Sequence, residues 1–189
     1  MPLLARILRK VIREFRVSFY KTISTAKLKG KCTLVSPILS EGKGTIEVGK
    51  NSVFGFVSDS GFWSGYCFLN ARSAESKIFI GEDCHICNQF SAVSEGPGIE
   101  IGNHVLIGSQ VSIYDSDFHE IAPEHRVGGL PKMGKVNIGN NVWIGDRVTV
   151  LKGSSVGDNS VIAAGAVVSG VYPANVIIGG VPAKIIRQI

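Results

Sequence analysis

No stretch of this 189-residue chain approaches the roughly 18 consecutive apolar residues that a bilayer span requires; apolar runs such as residues 161–164 stop after a few positions. Basic residues interrupt every apolar run near the start, so no secretory signal pattern is visible, and a cytoplasmic protein is the default expectation. Cysteine is scarce, with four residues at Cys32, Cys67, Cys84 and Cys87. That excludes a disulfide scaffold and suits a reducing compartment. Cys84-His85-Ile86-Cys87 has the outline of a metal knuckle, but no second pair follows at zinc-site spacing. Glycine is abundant at 23 residues, yet no collagen-like triplet is present. Aromatics are sparse at 8% and gather in residues 54–70. That cluster reads either as a platform for stacking on sugar rings or as filling for irregular first coils.

What the chain does have is a beat of six. From Ile138 to Ser169 an aliphatic residue opens each block (Ile138, Ile144, Val150, Val156, Ile162, Val168), and glycine or alanine often follows. A small or β-branched residue sits fifth, at Val142, Val148, Ser154, Ser160 and Ala166. A period of six fits neither a helix nor an alternating strand; it is the hexapeptide form of a β-helix. Three blocks make one triangular coil, the leading aliphatics point inward as a ladder, and glycine is expected to ease the corner turns. Earlier blocks start at Val48, Ile80, Ile86, Ile101, Ile107 and Ile113. Cys84 falls at the fifth, small position of its block and reads as a structural thiol. Ile113 and Ile138 lie 25 residues apart, which whole blocks do not fill. A loop extruded near residues 115–136 is therefore predicted, and loops of that length on a regular scaffold are usually functional or disordered.

Charge divides the chain. Residues 1–31 hold nine Lys or Arg and one acid, a local charge of +8 against +5 overall, so the remainder carries −3. Leu4, Leu8, Val11, Ile12, Phe15 and Phe19 recur there at helical spacing, with Arg6, Arg9, Lys10, Arg13 and Arg16 on the other side. The pattern predicts a basic amphipathic helix in residues 1–30, ahead of a β-helix domain in residues 31–189. Two readings of the helix stand side by side. One is peripheral contact of residues 1–28 with an anionic membrane; the other is capping of the β-helix or packing on a neighbouring subunit, with a solvated basic face. Nucleic acid is not an expected partner, since no aromatic platform or recognition motif accompanies the charge.

Among four histidines, His119 stands at the loop entrance in Asp115-Ser116-Asp117-Phe118-His119-Glu120. Flanking carboxylates, Asp117 among them, would orient its ring and raise its basicity.

Residues 80–189 resemble the left-handed β-helix acyltransferases of the hexapeptide-repeat family. The closest branch comprises maltose and galactoside O-acetyltransferases and the O-acetyltransferases of surface-polysaccharide synthesis. The resemblance rests on Ile101-Gly102-Asn103-His104-Val105-Leu106-Ile107-Gly108, the Asp-x-Asp-x-His run ending at His119, Asn140-Asn141-Val142-Trp143-Ile144-Gly145, and Gly180-Val181-Pro182-Ala183-Lys184. It implies a cytoplasmic homotrimer with sites between subunits, and direct transfer of acetyl from acetyl-CoA to a hydroxyl of a sugar or glycan precursor, with no metal. By that resemblance His119 is the general base, Asn88 helps bind the acceptor, and Trp143 lines the substrate cleft on the acyl-donor side. Backbone amides around Gly145 and Asp146 hold the developing oxyanion. Ala163, Ala164 and Gly165 admit the pantetheine arm of the donor, and Lys184 meets its phosphate. The chain departs from the family at Gly170-Val171, where relatives often carry a lysine, and in residues 1–79, which leaves the acceptor open.

Two other functions fit the same prism. A zinc hydratase resembling the γ-type carbonic anhydrases would use His85, His119 and His125 across a subunit interface. A non-catalytic trimeric scaffold would act through its N-terminal helix.

Overall fold

The computed structural model describes residues 2–189. It consists of one helix, α1 (Leu3–Ile23), followed by a triangular prism of three sheets with seven, eight and six strands. Sheet A runs from the Leu28–Gly30 strand to Val171–Tyr172, sheet B from Thr33–Leu34 to Ala183–Gln188, and sheet C from Ile38–Gly42 to Val167–Val168. The chain visits A, B and C in turn. Register confirms the beat: Asn137 lies beside Ser155, Trp143 beside Val161 and Thr149 beside Val167, so one coil takes 18 residues, or three hexads. Every strand pair is parallel except the last, where Ala183–Gln188 folds back on Val176–Gly180 and closes the edge of sheet B. The prism is a left-handed β-helix, with α1 at its N-terminal end.

The leading aliphatics form the predicted ladders. Phe54, Ile86, Ile107, Ile144, Ile162 and Ile178 stack inside sheet B, and Ile80, Ile101, Ile138 and Val156 inside sheet A, all buried. Burying each such side chain stabilises the coil by about 1.5–3 kcal/mol. Fifth-position residues Cys84, Val105, Val142 and Ser160 are buried beside them.

Glycine eases the corner turn as expected at Gly153 and Gly165, with φ of 72° and 73°, but the glycines in second position of a block serve another purpose. Corner residues Gly81, Gly102 and Gly139 do not take positive φ; that conformation belongs to residues two positions later, at Asp83, His104 and Asn141, and again at Asn159 and Asn175. Asn and Asp tolerate the left-handed region because short polar side chains bond locally. Here they also bond from coil to coil, Asn141 Nδ2 donating to Asn159 Oδ1 at 2.9 Å and Asn159 Nδ2 to Asn175 Oδ1 at 3.2 Å. The glycines instead give room between coils: a Cβ on Gly81 would stand 2.5 Å from the carbonyl oxygen of Gly102.

The loop leaves sheet C after the Ser112–Tyr114 strand and re-enters sheet A at Val136–Ile138. Its neck is zipped. Ser116 bridges Met133 in antiparallel fashion, Gly134 N donates to Asp115 O at 2.8 Å, and Asp117 N donates to Lys132 O at 3.0 Å. Beneath the neck Asp115 is fully buried. Its carboxylate accepts from Ser94 Oγ at 2.7 Å and from the amides of Glu95 at 2.8 Å and Gly98 at 2.9 Å, with Gly96 N also in reach at 3.2 Å. A buried carboxylate answered by several donors ties loop and scaffold together.

The aromatic segment divides its labour. Phe54 and Phe62 are buried, Trp63 and Tyr66 meet α1, and Phe56 stays exposed.

Candidate active site

His119 is exposed, and its Nδ1 lies 3.0 Å from the carbonyl oxygen of Arg126. A carbonyl only accepts, so Nδ1 carries the proton and Nε2 keeps its lone pair. The ring lines a shallow cavity of about 200 Å³ together with Asp117, Glu120, Ile121, Leu130 and Lys132.

Asp117 does not orient this ring. Its carboxylate pairs with Lys152 Nζ at 2.7 Å, which pins the loop to a corner of the prism, and the backbone of Arg126 takes the orienting role. An acceptor reached within the folded loop is invisible to spacing arguments, whereas a neighbouring carboxylate suggests itself.

Phe118, just before the histidine, has φ of 59°, an outlier for a bulky residue. Neighbours hold it there. Its ring meets Tyr114 edge-on with centroids 5.8 Å apart, the Arg72 guanidinium lies 4.5 Å over the ring centroid, and its amide donates to Ser116 Oγ at 2.9 Å. Glu95 receives the Ser116 hydroxyl at 3.2 Å and faces Arg72 at 4.0 Å. None of these four supports was anticipated from sequence. The visible signal was the run of polar residues breaking the repeat, which marks a loop but not its partners.

The expected donor-side residues lie on stacked coils where sheet B turns toward sheet C. Trp143 projects outward from sheet B and is 57% exposed, between Leu106 and Val161. Asp146 follows at the corner. One coil on are Ala163 and the exposed Ala164 and Gly165, where Gly165 N donates to Asp146 O at 2.8 Å. The next coil brings Gly179, whose missing Cβ would lie 3.0 Å from the Ala163 Cβ, and Gly179 pairs with the exposed Lys184. The result is a strip of small residues ending in a lysine, about 10 Å long at one coil per 4.8 Å.

Two expected roles need correction. Gly145 N donates to Ile162 O at 2.8 Å within the ladder, so it is not available to an oxyanion. Gly145 is glycine because a Cβ there would stand 2.6 Å from Ala164 N. Asn88 is fully buried and clamps the backbone of Phe56, its Nδ2 donating to Phe56 O at 2.9 Å and its Oδ1 accepting from Phe56 N at 3.1 Å. Buried and so bonded, Asn88 shapes the wall of a pocket and does not itself reach an acceptor.

That pocket, about 450 Å³, was missed by sequence reasoning. Phe56, Asp59, Cys87, Gln89, Ser109 and Asp146 line it at the upper end of the strip. The Ser109 hydroxyl donates to Asp59, and Ser109 N donates to Asp146 Oδ1 at 2.9 Å. Burial raises the Cys87 thiol, with Asp59 adding to the effect.

His119 and Trp143 are not brought together. The loop springs from the edge between sheets C and A, the edge opposite the outer face of sheet B. His85 lies on that outer face beside Leu106, apart from the loop that carries His119 and His125. Among the described residues of one chain, no three His, Cys, Asp or Glu side chains gather as a metal-holding group.

Comparison with known proteins decides the family. Residues 135–170 match the model of the bacterial transferase hexapeptide (six repeats). A Saccharomyces cerevisiae protein assigned to the acetyltransferases is 33% identical over 184 residues, 96% of this chain and 84% of that one. The chain belongs to the hexapeptide-repeat acetyltransferases. An Escherichia coli protein assigned to O-acetyl transfer in lipopolysaccharide biosynthesis is 31% identical over 160 residues, 80% of this chain and 76% of its own. The galactoside O-acetyltransferase of Escherichia coli is 38% identical over 114 residues, and this hexapeptide acetyltransferase matches 56% of that protein's length. A solved galactoside acetyltransferase in complex with coenzyme A shares the fold at a TM-score of 0.53 and 22% identity, with 100% of this chain and 92% of that one covered.

Proposed function

We propose that this hexapeptide acetyltransferase moves acetyl from acetyl-CoA to a hydroxyl of a sugar or glycan precursor, by direct transfer, at sites shared between subunits of a homotrimer. The observation that carries the reading is the His119 ring, exposed on a braced loop with Nδ1 donating to the Arg126 carbonyl, which leaves Nε2 as the basic nitrogen. Nε2 takes the proton of the acceptor hydroxyl, and the oxygen attacks the thioester carbonyl. The tetrahedral intermediate then expels the coenzyme A thiolate, which recovers the proton from His119. No acyl-enzyme is formed. Such a base contributes about 10²–10⁴-fold. With the Gly145 amide committed to Ile162, the Asp146 amide is the proposed donor to the oxyanion.

The strip Asp146–Ala164–Gly179 fits the donor's narrow arm, and Lys184 at its end fits a phosphate. The polar pocket above Asp146, with the exposed ring of Phe56 at its rim, fits a hydroxyl-rich acceptor. Relatives named for galactoside and lipopolysaccharide acetylation support that class. Residues 31–189 form the catalytic domain in this reading, residues 1–30 an appendage, and the cytoplasm supplies the acetyl-CoA.

Calorimetric titration of acetyl-CoA tests the donor, with saturation near one per subunit expected. A transfer assay over soluble sugars and His119→Ala tests the rest. The variant should bind acetyl-CoA like the wild type and transfer nothing measurable. Turnover near wild type in the variant would remove His119 from the chemistry.

A further inference from the structure

Helix α1 sits on the prism the wrong way round for a helix that merely packs. Its half-buried side carries Arg9, Arg13 and Arg16 together with Ala5, Val17 and Tyr20. Arg16 donates to the carbonyls of Phe62 and Gly65, the Arg9 guanidinium lies 5.6 Å over the Trp63 ring, and Tyr20 stacks on Tyr66 at 4.9 Å. None of its residues is buried, and the apolar stripe of Leu4, Leu8, Val11, Phe15 and Phe19 is exposed, at 70% for Phe15. The expectation of a solvated basic face is thereby overturned: much of the basic face is docked and the apolar face is bare. From Leu4 to Phe19 the stripe runs about 23 Å along the 21-residue helix.

We propose that this end of the molecule docks on an anionic lipid bilayer, with the α1 stripe seated among the acyl chains and free lysines around it against the headgroups. Charge selects this occupant. Lys21, Lys27 and Lys31 have no carboxylate partner among the described residues, and they lie in the last turn of α1 and beside the strand that follows it. A second copy of the chain offers only scattered carboxylates without an ion pair among the described residues, Glu41 and Glu75 near the first coils and Glu120 and Glu124 on the loop, and no continuous acidic face. Its Glu47, Glu82, Glu95, Glu100 and Asp117 are already paired with lysine or arginine, and its Asp115, Asp146 and Asp158 are held by backbone amides. An anionic leaflet supplies unpaired negative charge over the whole length of the stripe. A cavity of about 650 Å³ opens at the same end between α1 and the first coil. Its floor is Val17, Ala26, Leu34 and Ile38 and its lining includes Lys21, Lys27 and Lys31, which suits an acyl chain below a phosphate. No helix among the described residues is long and apolar enough to cross a membrane, so the contact is one of lying on the surface.

Sedimentation of the full chain with vesicles of phosphatidylglycerol and phosphatidylcholine, and with phosphatidylcholine alone, tests the surface. Light scattering reads the oligomeric state in parallel. The wild type should sediment with anionic vesicles only. Leu8→Glu with Phe15→Glu, both at exposed positions, should abolish that binding while leaving assembly and acetyl-CoA binding unchanged. Lys21→Ala, Lys27→Ala and Lys31→Ala should each weaken it about 5-fold. Absence of wild-type binding to anionic vesicles overturns the proposal. So does a change of oligomeric state in the double glutamate variant, which would make the stripe an interface between copies. Neither readout depends on acetyl transfer, so the surface and the activity fail or stand separately.

Discussion

At the scale of single residues, the proposed chemistry depends on a histidine whose neighbours have little to do with protons. Phe118 holds left-handed backbone at a cost of about 1–3 kcal/mol, and the ring contacts with Tyr114 and Arg72 offset it. Arg72→Ala removes the cation over the ring and should lower kcat about 10-fold with little change in KM, because a base that wanders loses orientation more than affinity. Steady-state kinetics would show the split; an unchanged kcat would make the brace ornamental. Asp115→Ala should be costlier to the fold. It strands a buried hydroxyl and at least two buried amides at about 1–3 kcal/mol each, enough to unzip the neck, and denaturant unfolding reads the loss directly. Cys67 provides a pH test. Burial pushes its thiol up to about 12 from an ordinary value near 9, so the folded state favours the neutral form. Its contribution is intact below about pH 9 and is lost as pH climbs from there toward 12. Unfolding midpoints taken between pH 8 and 11 should fall more steeply in the wild type than in Cys67→Ala.

At the scale of elements, the ladders were legible because a period of six constrains every inward position, and Ile80, Ile101, Ile138 and Val156 fall where the spacing puts them. The limits of the loop were legible for the same reason, as the place where the beat fails. Contacts made inside the loop or between coils were not. Nothing in the spacing reveals that the Gly145 amide is spent on Ile162, that Asn88 clamps Phe56, or that Asp117 faces Lys152. Each depends on residues 17 to 35 positions away meeting through coil stacking. The corner turns show the same limit. Glycine at the second position looks like turn chemistry, yet the left-handed residue is the one two further on, often asparagine or aspartate but also His104, Gln110 and Arg147, and the glycine relieves crowding between coils. Gly145→Ala should therefore destabilise the prism by about 1–3 kcal/mol through its clash with Ala164 N. Thermal unfolding checks this, and a variant as stable as the wild type but inactive would return Gly145 to the chemistry.

At the scale of the whole molecule, the triangular cross-section has a consequence for catalysis. A prism keeps its three faces apart. The loop bearing His119 leaves from the edge between sheets C and A, while Trp143 and the small-residue strip belong to sheet B and its corner with C. One chain thus presents the proposed base on one side and the proposed donor groove on another, as the proposed site between subunits requires. A cyclic assembly that repeats one heterologous contact would have each subunit lend His119 to one neighbour and Trp143 to the other. Complementation follows from the geometry. His119→Ala and Trp143→Ala should each be nearly inactive alone, and both should fold, since both side chains are exposed. In trimers reassembled from equal amounts of the two, a site works when its histidine comes from a Trp143→Ala chain and its tryptophan from a His119→Ala chain. Random mixing makes that about a quarter of all sites. A mixed sample recovering roughly that share of wild-type activity would establish the shared site. Continued silence in confirmed mixed trimers would mean that His119 and Trp143 of one chain serve the same centre, and the two-sided reading of the prism would fall.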